Sequence, residues 1–310
     1  MKRQLFALIA CILLLGGCAV QQEDGERGYT FTDDTGAELC VPYNPKTVAV
    51  LTSSLADLWI TAGGRVTITV AETVERGFAD LDVVLVDDGA GKTVNLELLI
   101  ASKPDFVLYS AELPGQVACA DALRAAGIPA AGVCVETFDD YLQLLKICTD
   151  IVRNEAAYQT HGTQLQTRVN DFIELGCSKQ SQPKILFVRA GSSAKYTKAK
   201  TADNHFVCKM LAELGTVNIA DTAPILLDGL SLEAVLMEDP DIIFFTAMGD
   251  EAAGAAYMQS LLADPVWQTL TAVKTGRVHQ LPKDLFQYKP NARWDEAYDY
   301  LMELLYGETE

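Results

Sequence analysis

Two groups of basic and aromatic residues are the most chemically suggestive feature of this chain. The first lies within residues 189–209 and includes Tyr196 and His205; its cations are Arg189, Lys195, Lys198, Lys200 and Lys209. The second lies near the carboxyl terminus and comprises Lys283, Phe286, Tyr288, Lys289, Arg293 and Trp294. The protein as a whole is acidic, with 42 Asp and Glu against 24 Lys and Arg. Positive charge concentrated in this way predicts an anionic ligand. A solvated lysine loop is the alternative, and it fits Lys198 and Lys200 best.

Short apolar runs that alternate with helical patterns are the elements that would position these groups. The alternation covers residues 47–135 and returns over residues 184–280. Strands separated by helices form mostly parallel sheets with helices on both faces. The sequence therefore predicts two doubly wound α/β lobes, the first preceded by a hairpin over residues 29–41 that turns at Gly36.

A long amphipathic segment separates the two alternating stretches. It follows Asn154, which can cap a helix, and its apolar residues are spaced for one buried helix face: Leu165, Val169, Phe172 and Ile173. A helix over residues 155–175 would measure about 31 Å, enough to reach from one lobe to the other. We expect the first lobe at residues 29–153, a single connecting helix at 154–177, the second lobe at 178–310, and a ligand cleft between the lobes.

An internal repeat supports two similar lobes. Residues 95–110 and 231–246 each carry a helix N-cap (Asn95 or Ser231), then Leu-Glu, Pro-Asp and a short apolar run. A capped helix that is broken by proline and followed by a buried-strand pattern is half of an α/β unit. The repeat places Glu97 and Glu233 in the first turns of equivalent helices, where a carboxylate stabilises the helix by ~0.3–1 kcal/mol.

The amino terminus indicates export from the cytoplasm. Residues 1–17 combine the basic pair Lys2 and Arg3 with a short apolar core, and Leu-Gly-Gly precedes Cys18. This pattern resembles the bacterial lipobox, which implies cleavage before Cys18, a lipid on its sulfur and a flexible tether over residues 18–28. An ordinary signal peptide with an incidental cysteine is the alternative. The mature protein is expected outside the cytoplasm, anchored to the cell membrane by lipid alone.

Charge and cysteine spacing exclude several classes of protein. Removal of the leader leaves 22 Lys and Arg against 42 Asp and Glu, a formal charge of −20, which argues against nucleic acid and anionic lipid as partners. No two cysteines have the C-x-x-C spacing of zinc knuckles or thioredoxin-type sites. Disulfides stay possible outside the cell, but buried free thiols are favoured for the six remaining cysteines: Cys40, Cys119, Cys134, Cys148, Cys177 and Cys208.

Several short segments, together with the repeat, carry a family resemblance over about residues 29–306. They are Phe31-Thr-Asp-Asp-Thr-Gly36, Asn44-Pro45-Lys46, Cys208-Lys-Met-Leu-Ala-Glu-Leu-Gly215 with Asn218-Ile-Ala220, Asp264-Pro-Val-Trp267 and Ala272-Val-Lys-Thr-Gly-Arg-Val278. In this order they resemble the extracytoplasmic substrate-binding lipoproteins of ABC importers for iron complexes, haem and cobalamin. The resemblance implies a monomer with no enzymatic activity and no intrinsic cofactor or metal. It also implies two partners, an ABC permease and its ATPase, and lobes that close only slightly on a metal chelate.

The resemblance also assigns roles to individual residues. Glu97 and Glu233 would each meet an arginine of the permease, one on each permease half.

Ligands of open α/β sheets bind beyond the carboxyl ends of the strands. The candidate ligand-binding residues at such positions or in the basic groups are Ser53, Ser54, Tyr109, Arg189, Lys195, Tyr196, His205, Tyr288, Lys289 and Arg293.

The sequence narrows the class of ligand but does not identify one compound. A carboxylate-bearing ferric siderophore or related iron complex leads, with haem and cobalamin as alternatives. Cobalamin binders of the family carry tryptophans where this chain has Gly91, Ser110 and Leu227. A Tyr-x-Arg pair would favour haem, and the sequence contains none. Importers of bare zinc or manganese need histidine cages, whereas the predicted first lobe has no histidine.

Two other classes of protein, a metal-dependent enzyme and an adhesion lipoprotein, stay as alternatives. A metal-dependent enzyme would need clustered metal ligands, which the sequence does not offer. An adhesion lipoprotein would not explain one glutamate on each lobe. Residues 89–93, Gly-Ala-Gly-Lys-Thr, imitate the end of a phosphate-binding loop, but position 86, where the motif needs glycine, holds Val86.

Overall fold

The computed structural model describes residues 28–87 and 93–307. The predicted leader, lipidation at Cys18 and nearly all of the tether lie outside these residues, as do Gly91 and most of the loop that imitates a phosphate-binding motif. Among the described residues, no helix has the length and apolar character needed to cross a membrane.

The first lobe is a parallel five-stranded sheet preceded by the predicted hairpin. The hairpin strands are β1 (Tyr29–Thr32) and β2 (Glu38–Val41), and the turn between them passes through Gly36 at φ +83°. The sheet has the order β5-β4-β3-β6-β7, from β3 (Val48–Val50), β4 (Ile68–Thr69), β5 (Val84–Leu85), β6 (Phe106–Ser110) and β7 (Ala130–Val133). Its helices are α1 (Ser53–Thr61), α2 (Ala71–Glu75), α3 (Leu96–Ala101), α4 (Pro114–Val117), α5 (Ala120–Ala125) and α6 (Phe138–Ile151). This is the doubly wound arrangement that the alternation predicts.

One interrupted rod follows the first lobe, where a single helix is expected. Helix α7 (Glu155–Tyr158) continues through a π-helical turn (Gln159–Thr163) into α8 (Gln164–Cys177). Leu165 and Val169 of its predicted apolar stripe are fully buried. The rod therefore packs by the expected face.

The second lobe repeats the α/β pattern with one antiparallel addition. Its strands are β8 (Lys184–Ala190), β9 (Lys198–Ala199), β10 (Val217–Asn218), β11 (Ile242–Ala247) and β12 (Val278–Gln280). They form the parallel order β10-β8-β11-β12, and β9 pairs antiparallel with the end of β8. The helices are α9 (Phe206–Glu213), α10 (Leu232–Glu238), α11 (Glu251–Leu262), α12 (Thr271–Lys274), α13 (Lys283–Phe286) and α14 (Trp294–Tyr306).

The Pro-Asp of each repeat copy has the same structural role in both lobes. Asp105 accepts hydrogen bonds from the backbone N–H groups of Lys46 and Thr47, both at 2.8 Å, just before β3. Asp241 accepts one from the N–H of Lys184, also at 2.8 Å, at the start of β8. The aspartate at the start of one strand therefore fixes the start of its neighbour.

Each sheet has an outer core of its own, and the two sheets share an inner core. The inner core joins residues of both lobes, among them Trp59, Phe106, Phe187 and Trp294, with the buried face of α8. The outer core of the first lobe contains Tyr109 among its residues, and the second lobe has a separate outer core. Because the lobes bury apolar surface against each other, large separation of them would expose it to water. This arrangement fits lobes that close only slightly.

All six cysteines of the described residues are free thiols. Cys119, Cys148 and Cys208 are buried as expected, whereas Cys40 and Cys177 are exposed because they lie on surface-facing positions of β2 and of the end of α8.

Candidate functional site

A cleft of about 540 Å³ lies between the lobes, and both lobes contribute to its walls. The residues of the first lobe that line it are Thr52, Ser54, Leu55, Glu72, Ser110, Glu112, Leu113, Val133, Val135 and Glu136. Those of the second lobe are Arg189, Asn204, His205, Phe206, Thr246, Gln287, Tyr288 and Lys289. The cleft lies beyond the carboxyl ends of strands from both sheets, the usual ligand position in this type of fold.

Side-chain alternation along the strands decides which residues reach the cleft. Along β8, Phe187 belongs to the inner core and Val188 to the outer core, so Arg189 continues the inner face. Thr246 continues the inner face of β11 and is paired with Arg189 in the parallel ladder. In the first lobe, Ser110 continues the inner face of β6. The cleft is therefore the open end of the inner core.

Arg189 is a half-buried cation on the wall of the second lobe. Within the described residues, no hydrogen bond or ion pair engages its guanidinium, and burial lowers its pKa. Burial, followed by the charges of Arg189 and Lys198, also lowers the pKa of Lys200. A desolvated cation without a counter-ion costs free energy, which an anionic ligand would offset.

His205 caps helix α9 and lies beside this positive charge. Its Nδ1 accepts a hydrogen bond from the backbone N–H of Val207 at 3.3 Å. The centre of its ring lies 4.6 Å from that of Phe187 and 5.2 Å from that of Phe206. Burial, followed by the charges of Lys289, Arg189 and Lys200, lowers the pKa of His205 to about 3. The imidazole is therefore neutral at physiological pH.

Lys289 lies between the two walls of the cleft. Its ammonium is 4.7 Å from the centre of the Phe206 ring, a cation–π contact. Burial lowers the pKa of Lys289, whereas the nearby carboxylates of Glu112 and Glu136 act to raise it. Glu136 also forms an interlobe ion pair with Lys209 at 3.0 Å. Glu136 is thus paired with a lysine, whereas Arg189 has no carboxylate partner among the described residues.

Polar contacts between the lobes border the cleft. The hydroxyl of Tyr288 donates a hydrogen bond to Oε1 of Glu72 at 3.2 Å. The side-chain amide of Asn291 donates to the carbonyl oxygen of Ser54 at 2.8 Å and to Oδ2 of Asp57 at 2.7 Å. These contacts hold the segment that carries Tyr288 and Lys289 against the first lobe, so they restrain the relative movement of the two walls.

Five of the ten predicted ligand-binding residues lie together on the cleft walls: Ser54, Arg189, His205, Tyr288 and Lys289. The other five are not among the lining residues of the cleft. Ser53 is fully buried behind Glu72, to which its hydroxyl donates a hydrogen bond. Arg293 is exposed on the surface and forms an ion pair with Glu296 at 2.7 Å.

Tyr109, Lys195 and Tyr196 also lie away from the cleft. Tyr109 faces the outer core because it is one residue out of phase with Ser110, and its ring packs against the bare backbone of Gly132. Lys195 and Tyr196 lie in an exposed single-turn helix between β8 and β9, where they contact each other. Cations that are close along the chain are therefore divided between the cleft and the outer surface.

Ser110 and Thr246 lie at the carboxyl ends of β6 and β11, where ligands of open α/β sheets are expected, and the alternation along each strand turns them into the cleft. Three acidic lining residues have no such signal in the sequence. Glu112 and Glu136 lie in the loops that follow β6 and β7, and a prediction based on positive charge does not include acidic residues. Glu72 belongs to α2, and no sequence signal connects it with Tyr288.

One group of side chains has the spacing of a metal site. The ligand atoms of Glu112, Cys134 and Glu136 all lie within 4.8 Å of one another. Burial, with Glu112 and Glu136 nearby, raises the pKa of Cys134 to about 11, and Lys209 already neutralises Glu136. A metal that bound here would take the place of the thiol proton of Cys134 and of the Lys209 ammonium beside Glu136.

The fold and the cleft together define a two-lobed binding protein. A family model described as "Periplasmic binding protein" matches residues 48–285, and the chain belongs to that family. The predicted family and two-lobed α/β architecture are thereby confirmed, and this family works outside the cytoplasm.

Comparison with individual proteins adds named relatives. The chain is 23% identical over 287 residues to the Fe(3+)-citrate-binding protein YfmC of Bacillus subtilis (strain 168), covering 89% of this chain and 87% of that protein. It superposes on Staphylococcus aureus SirA complexed with staphyloferrin B with a TM-score of 0.69 and 18% identity, over 89% of this chain and 98% of SirA. The periplasmic vitamin B12 binding protein BtuF of Vibrio cholerae gives a TM-score of 0.68 and 20% identity, over 85% and 98% of the two chains. At these identities the solved structures establish the fold.

Proposed function

We propose that this protein is the substrate-binding component of an ABC importer for a metal chelate, with a ferric siderophore or a related iron complex as the leading ligand class. It captures the chelate in the interlobe cleft and delivers it to the membrane permease. The observation that carries the proposal is Arg189, a half-buried cation without a counter-ion in a cleft between two lobes. An anionic iron complex supplies the missing negative charge, and the curated relative named for ferric citrate is consistent with such a ligand.

The size of the cleft supports a small chelate. Small-molecule sites in proteins have volumes of roughly 300–1,000 Å³, and this cleft lies within that range. Its walls offer hydroxyls, carboxylates and cations above an apolar floor that includes Val133 and Phe206. A chelate with an apolar frame and polar peripheral groups matches this lining.

Delivery to the permease is proposed to use Glu97 and Glu233. Both are exposed, and each lies in the first turn of its helix after a side-chain cap, Asn95 for α3 and Ser231 for α10. One carboxylate on each lobe is a suitable pair of contacts for a permease with two equivalent halves and a coupled ATPase.

Attachment to the membrane is proposed to depend on a lipid at Cys18. This part of the proposal rests on the basic, apolar and cysteine pattern of the amino terminus. Cys18→Ser should release the protein from the membrane fraction of the producing cell and remove the mass of the lipid from the intact protein. A variant that stayed in the membrane fraction and kept the mass of the lipid would contradict attachment through Cys18.

Thermal unfolding of the mature protein tests ligand capture. The panel contains ferric citrate, further ferric siderophores, haem, cobalamin, and Zn²⁺ or Mn²⁺ alone. A ligand at a thousand times its dissociation constant adds about 4 kcal/mol to the free energy of unfolding. Arg189→Met should lose the response, whereas Lys195→Met, which removes the same charge outside the cleft, should keep it. A response to free metal alone, or to no chelate, would overturn the proposed function.

A further inference from the structure

We propose that Arg189 and the Nε2–H group of His205 form a carboxylate subsite on the wall of the second lobe, so that a carboxylate-bearing chelate binds with that group turned away from the first lobe. The inference rests on the proposed function and makes it more specific, because it names the class of chelate and its orientation. It also assigns His205 the role of hydrogen-bond donor to the ligand.

The register of β8 and the packing of the His205 ring bring the two groups to the same wall of the cleft. Arg189 and Phe187 share the inner face of the strand, and the His205 ring packs 4.6 Å from that of Phe187. Both Arg189 and His205 line the same cleft. The positive charge of Arg189 helps to lower the pKa of His205, as expected for neighbouring groups.

The helix cap fixes the tautomer of His205. Nδ1 accepts the hydrogen bond from the N–H of Val207, so in the neutral imidazole the proton resides on Nε2. An imidazole in this state offers the ligand a donor and has no free lone pair for a metal ion. The surrounding cations Arg189, Lys200 and Lys289 oppose a second proton on the ring. His205 is therefore held as a neutral donor.

The charges around Arg189 and His205 favour an anion. Apart from burial, the groups that lower the pKa of His205 are all positively charged. Among the described residues, no carboxylate pairs with Arg189. A guanidinium binds a planar carboxylate through two parallel hydrogen bonds, and a neutral N–H donor can serve the remaining lone pair. A carboxylate matches this small set of donors, whereas a phosphate would leave more of its oxygens without partners.

Two substitutions of His205 separate its contact with the ligand from its role as a helix cap. Asparagine retains an acceptor for the N–H of Val207 but loses the donor at the far end of the ring. Glutamine extends its amide N–H towards the position of Nε2 but caps poorly. His205→Asn should therefore weaken carboxylate binding with little loss of thermal stability. His205→Gln should retain much of the binding and lower the melting temperature.

The ligand series uses pairs that differ in carboxylates. Ferric citrate is compared with ferrichrome, a neutral ferric trihydroxamate, and haem is compared with its dimethyl ester; inorganic phosphate is the separate probe for a phosphate site. Affinities are measured by calorimetry with the wild type, Arg189→Met, Arg189→Lys and the two His205 variants. Lys195→Met is the charge-matched control.

We expect the carboxylate member of a pair to bind more tightly, and Arg189→Met and His205→Asn each to weaken it by about 10- to 100-fold. Arg189→Lys should recover only part of the loss, because lysine lacks the planar fork. Equal or tighter binding of the neutral member, or unchanged affinity in His205→Asn, overturns the subsite while the proposed function stands. Competition by inorganic phosphate assigns the position to phosphate and overturns the carboxylate. Failure of every chelate to bind overturns the proposed function itself.

Discussion

Tyr288 and Glu72 join the two lobes on the wall of the cleft through a hydrogen bond of 3.2 Å. The same carboxylate accepts a hydrogen bond from Ser53, whose hydroxyl oxygen accepts one from Arg76 at 2.9 Å. The guanidinium of Arg76 then lies 3.7 Å from the centre of the Tyr288 ring, so the contacts close into a loop. A residue that lines the cleft is thereby held by the opposite lobe.

Tyr288→Phe should lower the free energy of unfolding by ~0.5–1.5 kcal/mol, the net contribution of one hydrogen bond. The cation–π contact with Arg76 should persist, because the ring stays in place. Urea unfolding measures the change. Tyr196→Phe, which removes a hydroxyl from an exposed ring, is the matched control and should leave stability unaltered. Equal effects of the two substitutions would contradict an interlobe role for Tyr288.

Asn291 is the second tie between the lobes, and its backbone is left-handed at φ +50°. Asn291→Gly should cost ~1–3 kcal/mol, because the partly buried carboxylate of Asp57 loses its donor. Asn291→Ala should cost about 1 kcal/mol more, since alanine is strained in this conformation and glycine is not. If the two variants proved equally stable, the backbone at this position would not be constrained as described.

The penalty of Asn291→Gly should also depend on pH. Burial raises the pKa of Asp57 above its ordinary value of 3.8, and the hydrogen bond from Asn291 acts to lower it. A carboxyl whose pKa is higher in the folded state destabilises the fold once it ionises, so stability falls as the pH rises through that pKa. The variant raises the pKa further, so its deficit should be largest at neutral pH and shrink as Asp57 becomes protonated. A pH-independent deficit would show that Asp57 is not involved.

His205 gives a pH dependence of the opposite sign. Burial and the nearby cations lower its pKa from 6.5 to about 3, so between these values the unfolded chain binds a proton that the folded protein does not. Stability is therefore fully present above pH 6.5 and is lost as the pH falls towards 3. From pH 7.5 to 5 the wild type should lose about 2 kcal/mol from this group, a loss that His205→Gln lacks. Parallel curves for the two proteins in guanidinium unfolding would contradict a neutral, partly buried His205.

The sequence was sufficient for the fold because the features that carry the fold are local. Helix caps, Pro-Asp breaks and apolar periods each act within a few residues, and the repeat locates both lobes. The cleft was only half predictable, because its composition depends on register and on contacts across the chain. Tyr109 and Ser110 differ by one position along β6 and face opposite sides of the sheet. Lys195 follows Arg189 closely in sequence yet lies on the outer surface.

The proposed permease contacts can be separated from ligand binding. Glu97→Gln and Glu233→Gln should each reduce uptake of the chelate in cells, and the double variant should reduce it further, with the affinity of the purified protein unaltered. Glu251→Gln, another first-turn carboxylate on the second lobe, controls for the small loss of helix stabilisation. Uptake that survives the double substitution would remove these glutamates from the docking surface.

Trp294 tests whether the lobes unfold as one unit. It is fully buried, and its ring lies 5.7 Å from that of Phe138 in the first lobe and 5.9 Å from that of Phe206 in the second. Trp294→Ala should cost about 3–5 kcal/mol, as expected for removal of a large buried aromatic side chain. Because the inner core belongs to both lobes, the loss should shift one cooperative transition rather than reveal a second. Fluorescence of the other tryptophans, Trp59 in the first lobe and Trp267 in the second, can follow each lobe separately in guanidinium. Two separated transitions would show that the shared core does not couple the lobes.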